Sequence, residues 1–234
     1  MLRFLIPLLA LATLPAISQP VLKTLDLSTE AVGDEPKSLL SMAGNWLIAQ
    51  ENGRKFLKVD GTNWPQGQSG ANLADKARAI FGERHVEFLD SVKAHADYPY
   101  VVATGVESFS GGVITVRFKA LAGQVDQGAG ILFNLQPNGD YLALRANALE
   151  NNLVLWRVVK GRRSAVKEVR NTPTTTLQWH DLKVVVRGLK VQGYLDGKLY
   201  LESMLTAPVS GKVGLWSKAD SVVLFDDFQI TAGP

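Results

Sequence analysis

Ile114-Thr115-Val116-Arg117-Phe118-Lys119 is the stretch on which the fold turns. Its apolar side chains fall on every second residue with polar ones between them. This is the period of a strand that has one face in a core and the other in solvent. Runs of similar character follow at 129–135, 141–146, 153–159, 165–169, 182–186, 191–195, 198–203, 212–216 and 221–230. Turn formers separate them: Pro137-Asn138-Gly139-Asp140, Lys160-Gly161, Asp196-Gly197 and Ser210-Gly211. Asp-Gly ahead of Lys198 is the sharpest hairpin signal among these. Many short strands with scarcely a helical period between them predict a sandwich or barrel and argue against an α/β fold.

Upstream the pattern is mixed. Trp46 to Gln50 and Lys55 to Val59 read as two strands joined by a turn at Asn52-Gly53. Residues 19–41 read as an extended lead-in that supplies one edge strand. Between Asp60 and Tyr100 the period changes: Leu73, Ala77, Ile80 and Phe81 recur at helical spacing, with Gly82 placed as a C-cap. Val86, Phe88, Leu89 and Val92 suggest a second short helix. A helical insertion is therefore expected over about 70–95, packed on a sheet edge or face.

Met1-Leu2-Arg3, an apolar run from Phe4 to Leu14 and the small residues of Ala16-Ile17-Ser18 have the layout of a secretory signal peptide. The apolar run falls short of the ~20 residues a spanning helix needs. Residues 1–18 are thus expected to be removed after Ser18, leaving one domain, 19–234, in the periplasm or outside the cell. No later segment is long and apolar enough to span a bilayer, and no linker or repeat divides the domain.

Composition removes several chemistries. The chain has 234 residues, 25 Lys and Arg against 22 Asp and Glu, 3 His and no Cys. Disulfides, thiol nucleophiles and Cys-ligated metals are excluded, and His85, His95 and His180 are not spaced as metal ligands. A net charge of +3 gives no case for nucleic acid. No Gly-x-Ser-x-Gly elbow, phosphate loop or dinucleotide fingerprint occurs. Glucanase-type paired carboxylates at alternate strand positions are also missing. Asp226 and Asp227 are adjacent, so strand alternation points them to opposite faces. No cofactor is implied by any motif. Calcium is conceivable for the aspartates alone, and the several oxygen ligands it needs are not evident.

The block Tyr141 to Trp156 carries the most chemistry. Alternation puts Tyr141, Ala143, Arg145 and Asn147 on one face, and the tight segment 148–152 then reverses the chain. Arg145, Asn147, Glu150 and Asn152 are expected to lie close together, with Trp156 nearby. Amides, an Arg fork, a carboxylate and an indole suit sugar hydroxyls and ring faces. The competing reading is an Arg–Glu pair and Asn turn caps that simply hold a hairpin. A second block offers Trp216, Lys218 and Asp220, as core and loop residues or as part of the same concave face. The basic run Lys160, Arg162, Arg163, Lys167 and Arg170 straddles a hairpin. It reads as a solvated edge that resists strand addition, with an anionic polysaccharide or membrane surface as the alternative partner.

Gly128-Ala129-Gly130-Ile131-Leu132-Phe133, the block 141–152, Trp179-His180-Asp181-Leu182-Lys183-Val184, Tyr194-Leu195-Asp196-Gly197-Lys198 and Gly211-Lys212-Val213-Gly214-Leu215-Trp216 together resemble the concanavalin A-like lectin/glucanase superfamily. Within it the chain looks most like laminin-G-like and 3-keto-disaccharide hydrolase-type domains of exported bacterial proteins, over roughly Gly105 to Ile230. The resemblance implies an all-β, two-sheet antiparallel jelly-roll sandwich with any ligand on its concave face. Neither the glucanase carboxylates nor a complete hydrolase set carries over onto this chain. The leading expectation is a non-catalytic, lectin-like carbohydrate-binding domain. In it Arg145, Asn147, Glu150 and Asn152 form hydrogen bonds and Trp156 or Trp216 stacks. A hydrolase of a glycoside or keto-sugar, with Glu150 or Asp220 as acid/base, is the alternative. An envelope scaffold that binds protein through the basic hairpin is the third.

Overall fold

Three of the turns read from residue pairs have both central residues at positive φ: Asn52 and Gly53 (50° and 80°), Lys160 and Gly161 (49° and 74°), and Asp196 and Gly197 (50° and 77°). Two successive positive φ values give the backbone twist that suits flanking antiparallel strands, so each pair fixes a hairpin and its register. The computed structural model describes residues 19–65, 67–91 and 98–233. The expected signal peptide, 1–18, lies outside the described residues, as do positions 92–95 of the expected insertion.

In chain order the first elements are β1 Val21–Thr24, β2 Leu39–Ala43, β3 Trp46–Glu51, β4 Arg54–Asp60, α1 Leu73–Phe81 and α2 His85–Asp90. Next come β5 Tyr100–Ala103, β6 Gly112–Ala122, β7 Gly128–Leu135, β8 Tyr141–Asn147, β9 Asn152–Val159 and β10 Arg162–Arg170. The chain ends with β11 Trp179–Arg187, β12 Lys190–Leu195, β13 Lys198–Met204, β14 Lys212–Ser217 and β15 Val222–Ala232. Two antiparallel sheets result. One runs β13-β12-β11-β6-β15-β4-β3 with β1 added to β15, and the other runs β10-β9-β8-β7-β14-β5-β2.

The core between the sheets follows from alternation. Ile114, Val116 and Phe118 of β6 face Ile131 and Phe133 of β7 and Leu142 and Leu144 of β8, all nearly or fully buried. The deciding stretch therefore does what its period predicts. The outer face of the second sheet is apolar too, with Met42, Tyr100, Leu132, Tyr141 and Trp216 buried there beneath Ala77, Ile80 and Phe88 of the helices. That is why the insertion is helical and amphipathic: it covers a sheet face, the job expected of it. Gly82, at φ 56°, ends α1 as predicted.

Two expectations change. The lead-in supplies two strands instead of one: β1 pairs β15, and β2 forms the edge of the second sheet. Leu39, Met42 and Ala43 are fully buried, but with inner and outer faces both covered their run has no clean alternation to reveal it. Asp226 and Asp227 are not held apart either. Asp227 takes φ 49° within a register shift between Asp226 and Gln229, and both carboxylates reach Arg54 Nη2, at 2.5 and 3.2 Å. The bulge adds a residue to one strand and cancels the alternation.

Candidate functional site

The centre of the candidate site is set by β8, buried along its whole length because the outer face of its sheet is covered as well as the inner one. Arg145 points outward, opposite Gly130 on β7 and Val154 on β9. The missing side chains matter here, since a Cβ on Gly128 would approach Arg145 Cδ to 3.2 Å. Arg145 is 1% exposed and its Nη1 donates to Glu150 Oε2 at 2.8 Å. Glu150 sits in the β8–β9 turn, where Asn151 takes φ 47° and brings the carboxylate back over the sheet. Asn152 Nδ2 donates to Glu150 Oε2 and to Glu168 Oε1, both at 3.1 Å.

Beneath this layer lies a fully buried carboxylate that alternation did not single out, Asp126. Asn147 Nδ2 donates to it, the Lys218 ammonium pairs with it, and Arg145 Nη1 stands 3.8 Å away. Burial pushes its carboxyl above the ordinary range, and Lys218 and Arg145 offset only part of that. The sequence signal for Asp126 is faint: a polar residue in the Gly123–Gly128 loop with no apolar period around it. Glu150 behaves oppositely. Burial raises its carboxyl, but the Arg145 guanidinium and Asn152 amide outweigh burial and hold it below the usual carboxylate range.

The eight residues singled out separate into groups. Arg145, Glu150, Asn152, Trp156 and Lys218 line one cleft of about 420 Å³, together with Arg163, Glu168 and Arg170. That volume falls within the ~300–1,000 Å³ of small-molecule sites. Asn147 lies below the cleft floor, fully buried and bonded to Asp126. Trp216 is not a stacking platform: it is fully buried under Tyr98, with Nε1 donating to Tyr141 Oη at 3.1 Å. Asp220 does not line this cleft; it borders a neighbouring hollow, and its carboxylate is engaged by backbone. Its carboxylate accepts from the backbone N–H groups of Gln124, Val125 and Asp126 at 2.6–3.1 Å, so it holds the loop that carries Asp126. Burial works to raise the Asp220 carboxyl, and these three donors together keep it low.

The basic hairpin contributes what the sequence reading assigned to solvent. β10 is an edge strand, as expected. Its register against β9 shifts between Ala165 and Lys167. Simple alternation would send Arg163 and Arg170, seven positions apart, to opposite faces; the bulge returns them to the same one. Arg163 then lies over the Trp156 ring, 4.0 Å from its centroid, with Tyr98 on another side at 5.2 Å. The exposed face of Trp156 is consequently occupied by a guanidinium.

The cleft concentrates unmet hydrogen-bonding capacity. Arg145 Nε, Asn152 Oδ1, Trp156 Nε1 and Arg163 Nη1 are all buried and have no partner among the described residues. A neighbouring hollow of about 380 Å³, bordered by Trp64 and Tyr98, shares Lys218 with the cleft and extends it. Larger hollows lie beside Trp64, about 550 Å³, and beside Arg54, about 710 Å³. In the latter the carboxylates of Asp226 and Asp227 already face Arg54. Among the described residues no group of three or more His, Asp or Glu is placed to hold a metal ion, and no helix is long and apolar enough to cross a membrane.

No protein-family model matches the chain, and no curated protein sequence does. Solved structures do. A carbohydrate binding module, CBM66 from Bacillus subtilis, superposes with a TM-score of 0.58 at 14% identity, over 82% of this chain and 93% of the module. A protein of unknown function with a galectin-like fold, also from Bacillus subtilis, gives 0.53 at 14% identity, over 92% and 97%. A Crh5 transglycosylase in its apo form gives 0.51 at 12% identity, over 92% and 88%. At these identities the likeness is one of backbone architecture. The fold they share with this chain is an all-β, two-sheet antiparallel jelly-roll sandwich, here with a small helical insertion.

Proposed function

We propose that this chain is an exported, non-catalytic carbohydrate-binding protein whose site is the cleft around Arg145, Glu150, Asn152 and Lys218. One observation carries the reading: four residues lining a single cleft of ligand size each hold a buried polar atom without a partner among the described residues. Buried donors and acceptors are nearly always satisfied in folded proteins, so such a cluster marks a place built for an external polar partner. Its chemistry suits a sugar, because Asn152 Oδ1 accepts while Arg145 Nε, Trp156 Nε1 and Arg163 Nη1 donate. The fold supports the reading as well, since a carbohydrate binding module shares it.

A hydrolase built on Glu150 or Asp220 has less support. General acid catalysis needs a carboxyl that holds its proton near neutral pH. Both of these are held low, and Asp220 is engaged by three backbone donors. The buried, raised carboxyl of Asp126 is fully shielded from solvent.

The test is a glycan array followed by calorimetric titration of the best ligand. Glu150→Gln and Asn152→Ala are each expected to weaken binding by roughly tenfold, as loss of a hydrogen bond to a charged or buried group does, and to lower the thermal midpoint as well, so affinities are compared well below it. Failure of the unaltered protein to bind any saccharide at millimolar concentration would overturn the reading.

A further inference from the structure

We propose that the cleft is built for an acidic saccharide, one whose ring carries an oxyanion, and that Arg163 is the residue that seats it. The proposal rests on the carbohydrate-binding reading and goes beyond it by naming the charge of the ligand. The argument is one of pairing. Four cations border the cleft: Arg145, Arg163, Arg170 and Lys218. Three carboxylates face them, and each already has a cation: Glu150 has Arg145 at 2.8 Å, Glu168 has Arg170 at 3.1 Å, and the buried Asp126 has Lys218. Arg163 is the cation left without a carboxylate among the described residues.

Its position explains why it is left over. Trp156 and Tyr98 hold its guanidinium by ring contacts, which stabilise a cation but give its N–H groups nothing to donate to. Nη1 is buried and has no acceptor. With ring faces against it, the guanidinium has only its N–H groups left to bond a ligand, and the partner that matches both those donors and its charge is a planar or tetrahedral oxyanion. A neutral hydroxyl would satisfy one donor and leave the charge unmatched. The Lys160-Gly161 turn, which pairs Arg163 with Val158, sets Arg163 on this face, and the β10 bulge beyond it brings Arg170 to the same face, so part of a basic edge becomes ligand-facing.

The oxyanion can be a uronate carboxylate or a sulfate ester, and the experiment separates the two. Calorimetric titrations of the full protein would use an oligogalacturonide, its methyl-esterified counterpart, a sulfated oligosaccharide and poly-glutamate, at low and at moderate salt. The unaltered protein is expected to bind an acidic saccharide roughly 10- to 100-fold more tightly than the esterified one, the range of a charge-assisted hydrogen-bond pair. Arg163→Gln should erase that difference, so that the variant binds the acidic saccharide no more tightly than it binds the ester. Arg163→Lys, which keeps the charge and loses the fork, should retain part of the difference. Thermal midpoints of both variants guard against simple misfolding. Preference for the oligogalacturonide identifies a carboxylate ligand, and preference for the sulfated one a sulfate ligand; either supports the proposal. Equal binding of the acid and its ester would overturn the proposal and leave the carbohydrate-binding reading standing. Poly-glutamate binding as tight as any saccharide would overturn it as well, and absence of all saccharide binding removes both readings.

Discussion

At the scale of the residue, chemistry visible in the sequence divides by what each group already touches. Asp220 and Glu150 are both exposed-looking acids in loops, yet Asp220 closes three backbone N–H groups while Glu150 faces a cleft. Asp220 therefore acts on stability, and its sign follows from its low carboxyl. A group held below its unfolded range contributes fully above that range, and the contribution fades as pH falls through the folded value. Asp126 and Asp226, pushed up by burial, have the opposite sign, so the difference between variants is the informative quantity. Asp220→Asn is expected to lose roughly 1–2 kcal/mol near pH 7, reduced for partial solvent exposure. That loss should vanish toward pH 2, measured as urea midpoints across the acid range. Trp216 makes the same point from the other side. Nothing in Gly214-Leu215-Trp216-Ser217 distinguishes a binding tryptophan from a buried one, because both faces of β14 are covered.

At the scale of the element, hairpins with two-residue turns were legible because Asn-Gly, Lys-Gly and Asp-Gly carry their geometry with them. The bulges in β10 and β15 were not. A bulge is a property of a pair of strands: Val166 is the extra residue on β10, and the shift it makes brings Arg170 to the face of Arg163. The helical insertion was legible from its period, and the surface it covers was not. Met42, Tyr100, Tyr141 and Trp216 come from four separate strands that only the sheet brings together. Replacing residues 73–91 by a short flexible linker should leave the far-ultraviolet β signature in place and uncover this apolar face. The expected readout is strong binding of a hydrophobic dye and a tendency to self-associate. If dye binding stays at the level of the unaltered protein, the helices are not the cover described here.

At the scale of the whole molecule, the core between two sheets replaces any need for covalent cross-links. The chain has no Cys although it is proposed to work outside the cytoplasm, where disulfides form readily. Export itself is open to measurement. Expressed as the full chain in a Gram-negative host, the protein should be released by osmotic shock with Gln19 as its first residue. Intact residues 1–18 on a cytoplasmic product would count against export. Removal after Ser18 leaves β1 whole, since that strand starts at Val21 and pairs with Thr231 at the far end of the chain.

The boundary between sequence and structure follows a physical line. Period-two alternation, turn residues at positive φ and the helical period are local, and they determined an all-β fold of sandwich or barrel type, most strands and the insertion. The Arg145–Glu150–Asn152 cluster was also local, because a seven-residue strand and a four-residue turn bring it together. Asp126 under Lys218, Trp216 under the helices and Tyr98 against Arg163 depend on segments distant in the chain being brought together. Those contacts exist only once the strands of the second sheet have paired and its outer face is covered. The tertiary structure therefore decided which polar groups remain without partners, and those groups are the ground of the ligand proposed for the cleft.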